Sequence, residues 1–132
     1  MDAMTEEINV IELAYKALIG AHKEKINRIM QEVAAADEAS QATIRQEGLY
    51  ALLDKMDIHE EIIRFKSHVS DMREQLTSPV LEKGKRLDFT LQELGREINT
   101  IAAKCSDATI SKRAINAKVE IEKAREQVQN IV

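Results

Sequence analysis

The chain of 132 residues is long enough for one domain with a hydrophobic core, and 32% charged residues, 3% aromatic residues and a single proline favour packed helices over a β-sandwich. Its net charge of −4 provides no overall attraction for nucleic acid, so an anion-binding surface would have to be local. The single cysteine excludes a disulfide framework, and no apolar run approaches the roughly 18 residues of a membrane span, so we expect a cytoplasmic protein without membrane contact.

The N-terminal part of the chain predicts a long helical arm. Over residues 5–33 apolar side chains recur at helical spacing, with Thr5 and Asp2 as equal candidates for the N-cap. The apolar residues of this stripe are Ile8, Ile11, Leu18, Ile26, Ile29, Met30 and Val33, with Tyr15 near its edge. The segment AAADEAS at residues 34–40 predicts a break, and a second helical run is expected over residues 41–55.

Three further helices with regular apolar stripes are predicted after the arm. DIHE at residues 57–60 has the capping-box pattern and places a helix start near Asp57. Ser78 and Pro79 are expected to begin the next helix, and Ser106 with Asp107 the last one. The stripes comprise Ile58, Ile62, Phe65, Val69, Met72 and Leu76; Leu87, Leu91, Leu94, Ile98, Ile101 and Cys105; and Ile110, Ala114, Ala117, Ile121, Ala124, Val128 and Ile131. Short turns between such helices predict an all-α antiparallel bundle.

Polar side chains flank the stripes of the first two bundle helices on the same side. At 100° per residue, Glu61, Arg64 and His68 share one flank, and Glu93 and Glu97 lie on the matching flank of the next helix. Counting outward from the predicted turn places Arg64 beside Glu93 and Glu61 beside Glu97. Carboxylates and an imidazole could hold Mg²⁺ or Mn²⁺, which activates water or neutralises phosphate charge. Such residues more often form interhelical salt bridges, so spacing alone leaves both interpretations open.

Two other features of the second bundle helix bear on partners. Lys85 and Arg86 at its start could contact RNA or phosphate, although a basic cluster at this position is usually only solvated. Phe89 lies off the core stripe, which indicates a contact with the first helix or with another subunit.

Three segments contain specific polar residues in addition to their apolar stripes: DIHEEIIRFKSH at 57–68, GKRLDFTLQELGREINTIAAK at 84–104 and EKAREQVQNI at 122–131. In their order and spacing they resemble the C-terminal helical region of the YicC/YloC family. The resemblance covers the chain from about Arg45 to its end, and the preceding residues match only as generic helix. We therefore expect a single helical domain, divided into an arm at 1–44 and a YicC-like part at 45–132.

Members of that family are bacterial cytoplasmic endoribonucleases that need a divalent metal and assemble as oligomers. The resemblance thus implies RNA as the substrate, Mg²⁺ or Mn²⁺ as the cofactor and a homo-oligomeric state. Carried over by position, the shared motifs supply acidic, imidazole and amide groups at Glu61, His68, Glu93, Glu97 and Asn99, and basic groups at Arg64, Lys85, Arg86 and Arg96. As a mechanism hypothesis, the catalytic residues would be Glu93, Glu97 and His68. The metal ligands would be Glu61, His68, Glu93 and Glu97. The contacts to RNA or phosphate would come from Arg64, Lys85, Arg86, Arg96 and Asn99.

The family's N-terminal domain has no counterpart in these 132 residues, and we expect a longer chain to supply it. If RNA binding or oligomer closure needs that domain, the chain alone is expected to be inactive. The alternative to an endoribonuclease is a non-catalytic helical module for oligomerisation or RNA docking.

Overall fold

The computed structural model describes residues 2–35, 57–77 and 83–131. These ranges form four helices and no strand: α1 (Asp2–Ala35), α2 (His59–Thr77), α3 (Lys83–Lys104) and α4 (Ala108–Ile131). The all-α prediction is therefore confirmed. The helical run expected at 41–55 and the helix start expected at Ser78 and Pro79 lie outside the described residues. Among the described helices, none combines the length and the apolar character needed to cross a bilayer.

Neighbouring helices of the bundle run antiparallel. α3 packs between α2 and α4, while α1 packs extensively on α4 and less on α2. Lys66 of α2 lies 2.8 Å from Glu12 of α1, and Arg73, further along α2, donates to the hydroxyl of Thr5, earlier in α1. The order of these two contacts shows that α1 and α2 run in opposite directions.

The apolar stripes of the bundle helices meet in one core. The side chains buried there are Ile58, Ile62, Phe65, Val69, Met72, Leu87, Leu91, Leu94, Ile98, Ile101, Cys105, Ile110, Ala114, Ala117 and Ile121. Full burial of a large apolar side chain stabilises the fold by about 1.5–3 kcal/mol. The prediction was wrong for Leu76, which is exposed because it occupies the last turn of α2, at the end of the bundle.

α1 contributes Met4, Ile8, Ile11 and Tyr15 to this core, and Ala14, Leu18 and Ile19 pack against it while remaining partly exposed. The hydroxyl of Tyr15 donates to Asp57 Oδ1 at 2.9 Å, so Tyr15 lies level with the start of α2. Beyond that level, the described side chains within 20–31 are exposed except for the half-buried His22. The last 16 residues of α1, about 24 Å long at 1.5 Å per residue, therefore contribute no fully buried side chain among those described. The boundary of the arm predicted at residue 44 lies outside the described residues.

Local capping accounts for two of the helix starts. Asp57 Oδ1 accepts a hydrogen bond of 2.9 Å from the amide two residues later, and Asp107 Oδ2 accepts bonds of 3.1 and 3.2 Å from the amides two and three residues later. Both predicted caps are confirmed. Thr5 does not cap α1, because that helix already begins at Asp2.

Candidate active site

Arg64 joins two buried carboxylates from neighbouring helices. Its Nε donates to Glu97 Oε1 at 3.0 Å, and one terminal nitrogen lies 3.5 Å from Glu61 Oε1. The other terminal nitrogen is 3.4 Å from Glu60 Oε2. The side chains of Glu61 and Glu97 are only 4% and 9% exposed, whereas that of Arg64 is 48% exposed. The guanidinium therefore covers the two carboxylates on the side that faces solvent.

Lys104 completes this group from the end of α3. Its Nζ donates to Glu61 Oε1 at 2.7 Å. Lys104 follows Glu97 by seven residues, which is two helical turns, so both lie on the same side of α3. Sequence reasoning missed Lys104, although this spacing could have indicated it. We call Glu60, Glu61, Arg64, Glu97 and Lys104 the seam cluster.

Hydrogen bonds and charges fix the ionisation of the seam cluster. Burial raises the pKa of Glu61, but the hydrogen bond from Lys104 and the charges of Lys104 and Arg64 outweigh it, and the pKa lies below its ordinary value. The hydrogen bond to Glu61 raises the pKa of Lys104, and the hydrogen bond to Glu97 raises that of Arg64. At neutral pH Lys104 is therefore a fixed positive charge and does not act as a base.

The register of α2 against α3 differs from the predicted one. Arg64 was expected beside Glu93, but it donates to Glu97, four residues further along α3. Glu61 was expected beside Glu97, but it accepts a hydrogen bond from Lys104, seven residues further along. Both contacts are displaced in the same direction, by one to two helical turns. Glu61 and Glu97 are nevertheless brought together through their shared arginine.

Three other predicted site residues lie apart from the seam cluster. His68 is half-buried on α2, one turn beyond Arg64, and its ring has no hydrogen bond to any described residue. Lys85 and Arg86 are exposed in the first turn of α3. At 1.5 Å per residue they lie about 16–18 Å from Glu97 along the helix axis, so the structure does not place them beside the carboxylates.

A divalent metal requires several oxygen or nitrogen ligands directed to one point. Within the described ranges, no three His, Cys, Asp or Glu side chains are grouped in a way that could hold one. The carboxylates of Glu61 and Glu97 are instead directed to Arg64 and Lys104. In this side-chain arrangement the residues do not form a metal cage, and the metal requirement stays a prediction.

An open groove of about 710 Å³ lies between α3 and α4. It contains two of the predicted RNA contacts, Arg96 and Asn99, and Arg96 also lies 3.6 Å from the half-buried Glu93. Lys118 of α4 lines the groove as well, and sequence reasoning had not singled it out. Lys104 belongs both to the groove and to the seam cluster, so the two features adjoin along α3.

Comparison with known proteins identifies relatives of the whole described bundle. The family profile described as "Endoribonuclease YicC-like, C-terminal" matches residues 11–132, which include most of α1. The chain is 35% identical over 134 residues to a probable endoribonuclease YicC from Clostridioides difficile (strain 630), covering 98% of this chain and 44% of that protein. It is 39% identical over 90 residues to a protein of the same name from Haemophilus influenzae, covering 65% of this chain and 30% of that protein. The chain thus spans less than half the length of these relatives.

Proposed function

This chain belongs to the YicC-like endoribonuclease family, and from that premise we propose that it carries an RNA-cleaving site centred on the seam cluster. The supporting observation is that two buried carboxylates, Glu61 and Glu97, share one half-exposed arginine. Burying ionised groups is costly, and apolar residues in their place often leave a protein equally or more stable. A carboxylate with a perturbed pKa beside cations, as found at Glu61, is also a frequent feature of active sites.

The positions of the charges suggest how the site would act on a phosphodiester. Arg64 and Lys104 are about half exposed and cover the carboxylates, so an approaching phosphate would meet the cations first. Pairing of Arg64 with phosphate oxygens would weaken its contact with Glu97. Glu97 would then accept the proton of the attacking hydroxyl as the new P–O bond forms. The leaving oxygen would depart with the electron pair of its broken P–O bond and take a proton from water. The two cations would offset the charge that develops on the phosphoryl oxygens.

The predicted Mg²⁺ or Mn²⁺ requirement is a separate part of the proposal. A bound divalent cation would supply additional neutralisation of phosphate charge. Of the predicted ligands, Glu93 and His68 have no ion pair with the seam cations, whereas Glu61 and Glu97 do. No step described above depends on the metal, so its requirement is tested independently.

The test is cleavage of a labelled structured RNA by the purified chain, with Mg²⁺ or Mn²⁺ and then with EDTA. Glu97→Gln keeps the shape of the side chain and removes its charge, and we expect cleavage to fall at least about 100-fold while helicity is retained. Glu126→Gln makes the same change at an exposed position of α4 and serves as the control. Equal cleavage by the parent and Glu97→Gln would reject this site. Cleavage that survives EDTA would reject only the metal requirement, and absence of cleavage by the parent chain would reject catalysis by these residues alone.

A non-catalytic module for oligomerisation or RNA docking is the second candidate. It is favoured by the pairing of both buried carboxylates with cations and by Phe89, whose side chain is 64% exposed on α3. A homo-oligomer formed through Phe89 should dissociate in Phe89→Ser, as measured by analytical ultracentrifugation. Unchanged self-association would reject Phe89 as the contact, and RNA cleavage by the parent chain would reject the non-catalytic function.

A further inference from the structure

We propose that the groove between α3 and α4 binds the phosphate backbone of single-stranded RNA. In this proposal Lys118 contacts a phosphate directly, and Gly95 leaves space for the strand because it has no side chain. The inference rests on the proposed action on RNA and extends it to α4, which the seam cluster does not include. Both residues line the groove.

The groove brings together cations on a chain whose net charge is −4. Its charged lining residues are four cations and one anion, namely Arg96, Lys104, Lys118, Arg125 and Glu122. Three of the cations pair with carboxylates: Lys104 with Glu61, Arg96 with Glu93, and Arg125 with Asp88 and Glu122. Lys118 has no such pair among the described residues, so it offers a polyanion a local contact that the net charge of the chain does not provide.

The ion pairs of these cations differ in strength. Arg96 lies 3.6 Å from Glu93, and Arg125 lies 3.3 Å from Asp88. Arg96 is largely exposed, and ion pairs of this kind contribute little, so a phosphate could replace the carboxylate of Glu93. Arg125 and Asp88 are half-buried and hydrogen-bonded, so this pair is retained more strongly. Lys118 is exposed and has no ion pair with a described residue, so it is available to a ligand without breaking an existing contact.

Gly95 leaves space in the middle of α3. A Cβ added there would meet no heavy atom within 4 Å, so packing inside the described chain does not require a glycine. Glycine also weakens a helix interior relative to alanine. Packing within the described chain therefore does not explain a glycine at this position. A nucleic-acid backbone lying close to α3 in the groove would explain it, because a side chain at residue 95 would occupy the same space.

The dimensions and polar groups of the groove fit one nucleic-acid strand. Lys118 and Arg125 are two turns apart on α4, about 10 Å along the axis, so the two cations can contact different phosphates of one strand. The exposed amide of Asn99 has no hydrogen bond to a described residue and can both donate to and accept from a 2′-hydroxyl. None of the described lining residues is aromatic, which favours backbone contacts over base stacking.

The experiment measures binding of a fluorescein-labelled 20-nucleotide single-stranded RNA of mixed sequence by anisotropy in EDTA, with the full 132-residue chain. Lys118→Ala is expected to raise the Kd about threefold to tenfold and to reduce the slope of log K against log salt by about 0.7. Lys123→Ala is the matched control, because Lys123 is exposed on α4 outside the groove and, among the described residues, pairs only with Glu120 of its own helix. It should leave both quantities unchanged.

A second pair of variants separates binding from folding. Gly95→Ala should raise Tm through helix propensity and still weaken RNA binding, since the added methyl group enters the groove. Gly20→Ala also meets no heavy atom within 4 Å and makes the same change in α1, where RNA binding should be unaffected. A weaker complex formed by a more stable protein cannot be attributed to unfolding.

The outcomes distinguish the groove from the catalytic proposal. Unchanged affinity in both Lys118→Ala and Gly95→Ala would overturn the groove, even if Glu97→Gln abolishes cleavage. Groove-dependent binding without any cleavage would support the groove and reject the catalytic proposal. Equal affinity for DNA of the same sequence would overturn RNA as the occupant, and absence of RNA binding by the parent chain would overturn the inference altogether.

Discussion

Tyr15→Phe offers a quantitative test of how α1 is attached to the bundle. The Tyr15 hydroxyl donates to Asp57 Oδ1 at 2.9 Å, and the ring is buried in the core. The variant loses this hydrogen bond but keeps the ring. A hydrogen bond to an ionised group stabilises by about 1.5–3 kcal/mol, and the exposure of Asp57 to water places this bond near the lower end. At pH 7 we therefore expect Tyr15→Phe to be about 1–1.5 kcal/mol less stable than the parent.

At high pH the difference should change sign. Burial, followed by the hydrogen bond to Asp57, raises the pKa of Tyr15 from 10.0 to about 12. A group whose pKa is raised by folding contributes stability fully below its unfolded pKa, and this contribution is lost as the pH rises through the folded pKa. Two pKa units correspond to at most about 2.7 kcal/mol. The parent should lose this amount between pH 10 and 12, and Tyr15→Phe should not, so the two stability curves are expected to cross in that interval.

The assay is urea unfolding followed by circular dichroism at 222 nm, from pH 7 to 11.5, for the parent and Tyr15→Phe. Tyrosinate absorbance provides an independent titration, and Tyr50→Phe identifies the signal of the only other tyrosine. A stability difference that stays constant across this range would refute the buried hydrogen bond. So would a late tyrosine titration that persists in Tyr15→Phe.

The remaining predictions concern the core and the seam cluster. Phe65→Ala should reduce the free energy of unfolding by about 3–5 kcal/mol, because Phe65 is completely buried. Phe89→Ala should change it by less than about 0.5 kcal/mol, because Phe89 is exposed. Denaturant unfolding of the two variants compares these values directly. Arg64→Met should raise the pKa of Glu61 toward its ordinary value, since a positive charge that favours the carboxylate is removed; carboxyl NMR titration measures this shift. Arg28→Met, in an exposed pair of 4.0 Å within α1, should leave the pKa of Glu61 unchanged, and an equal effect of both variants would contradict the assigned contact.

Hydrophobic periodicity was sufficient to predict the bundle because it acts along each helix separately. The α3 stripe from Leu87 to Cys105 is buried at every predicted position, since burial of one continuous apolar face dominates the free energy of packing. The caps at Asp57 and Asp107 were also predictable, because a capping side chain acts on amides two or three residues away. Leu76 was not, since its exposure depends on where the bundle ends.

Hydrophobic periodicity could not determine the axial position of one helix relative to its neighbour. A displacement of four residues moves a helix by about one turn and returns nearly the same face to its partner, so the apolar stripe is satisfied in either register. The polar contacts differ between the two registers, because the displacement places Glu97 instead of Glu93 opposite Arg64. The sequence therefore placed the correct residue types at this seam but the wrong pair in contact.

Lys104 explains why the two candidate surfaces can be considered together. Its amine holds the buried Glu61 on one side, and its side chain lines the α3–α4 groove on the other. A strand held by Lys118 in that groove would therefore run toward the exposed cations of the seam cluster, where phosphate charge is compensated before a carboxylate is reached. Neither hydrophobic periodicity nor net charge predicts that the groove adjoins the seam cluster, because this depends on how α2, α3 and α4 are aligned along their axes. If the proposed binding of RNA is correct, its contacts come from individual exposed cations such as Lys118, because the overall charge of −4 supplies no attraction.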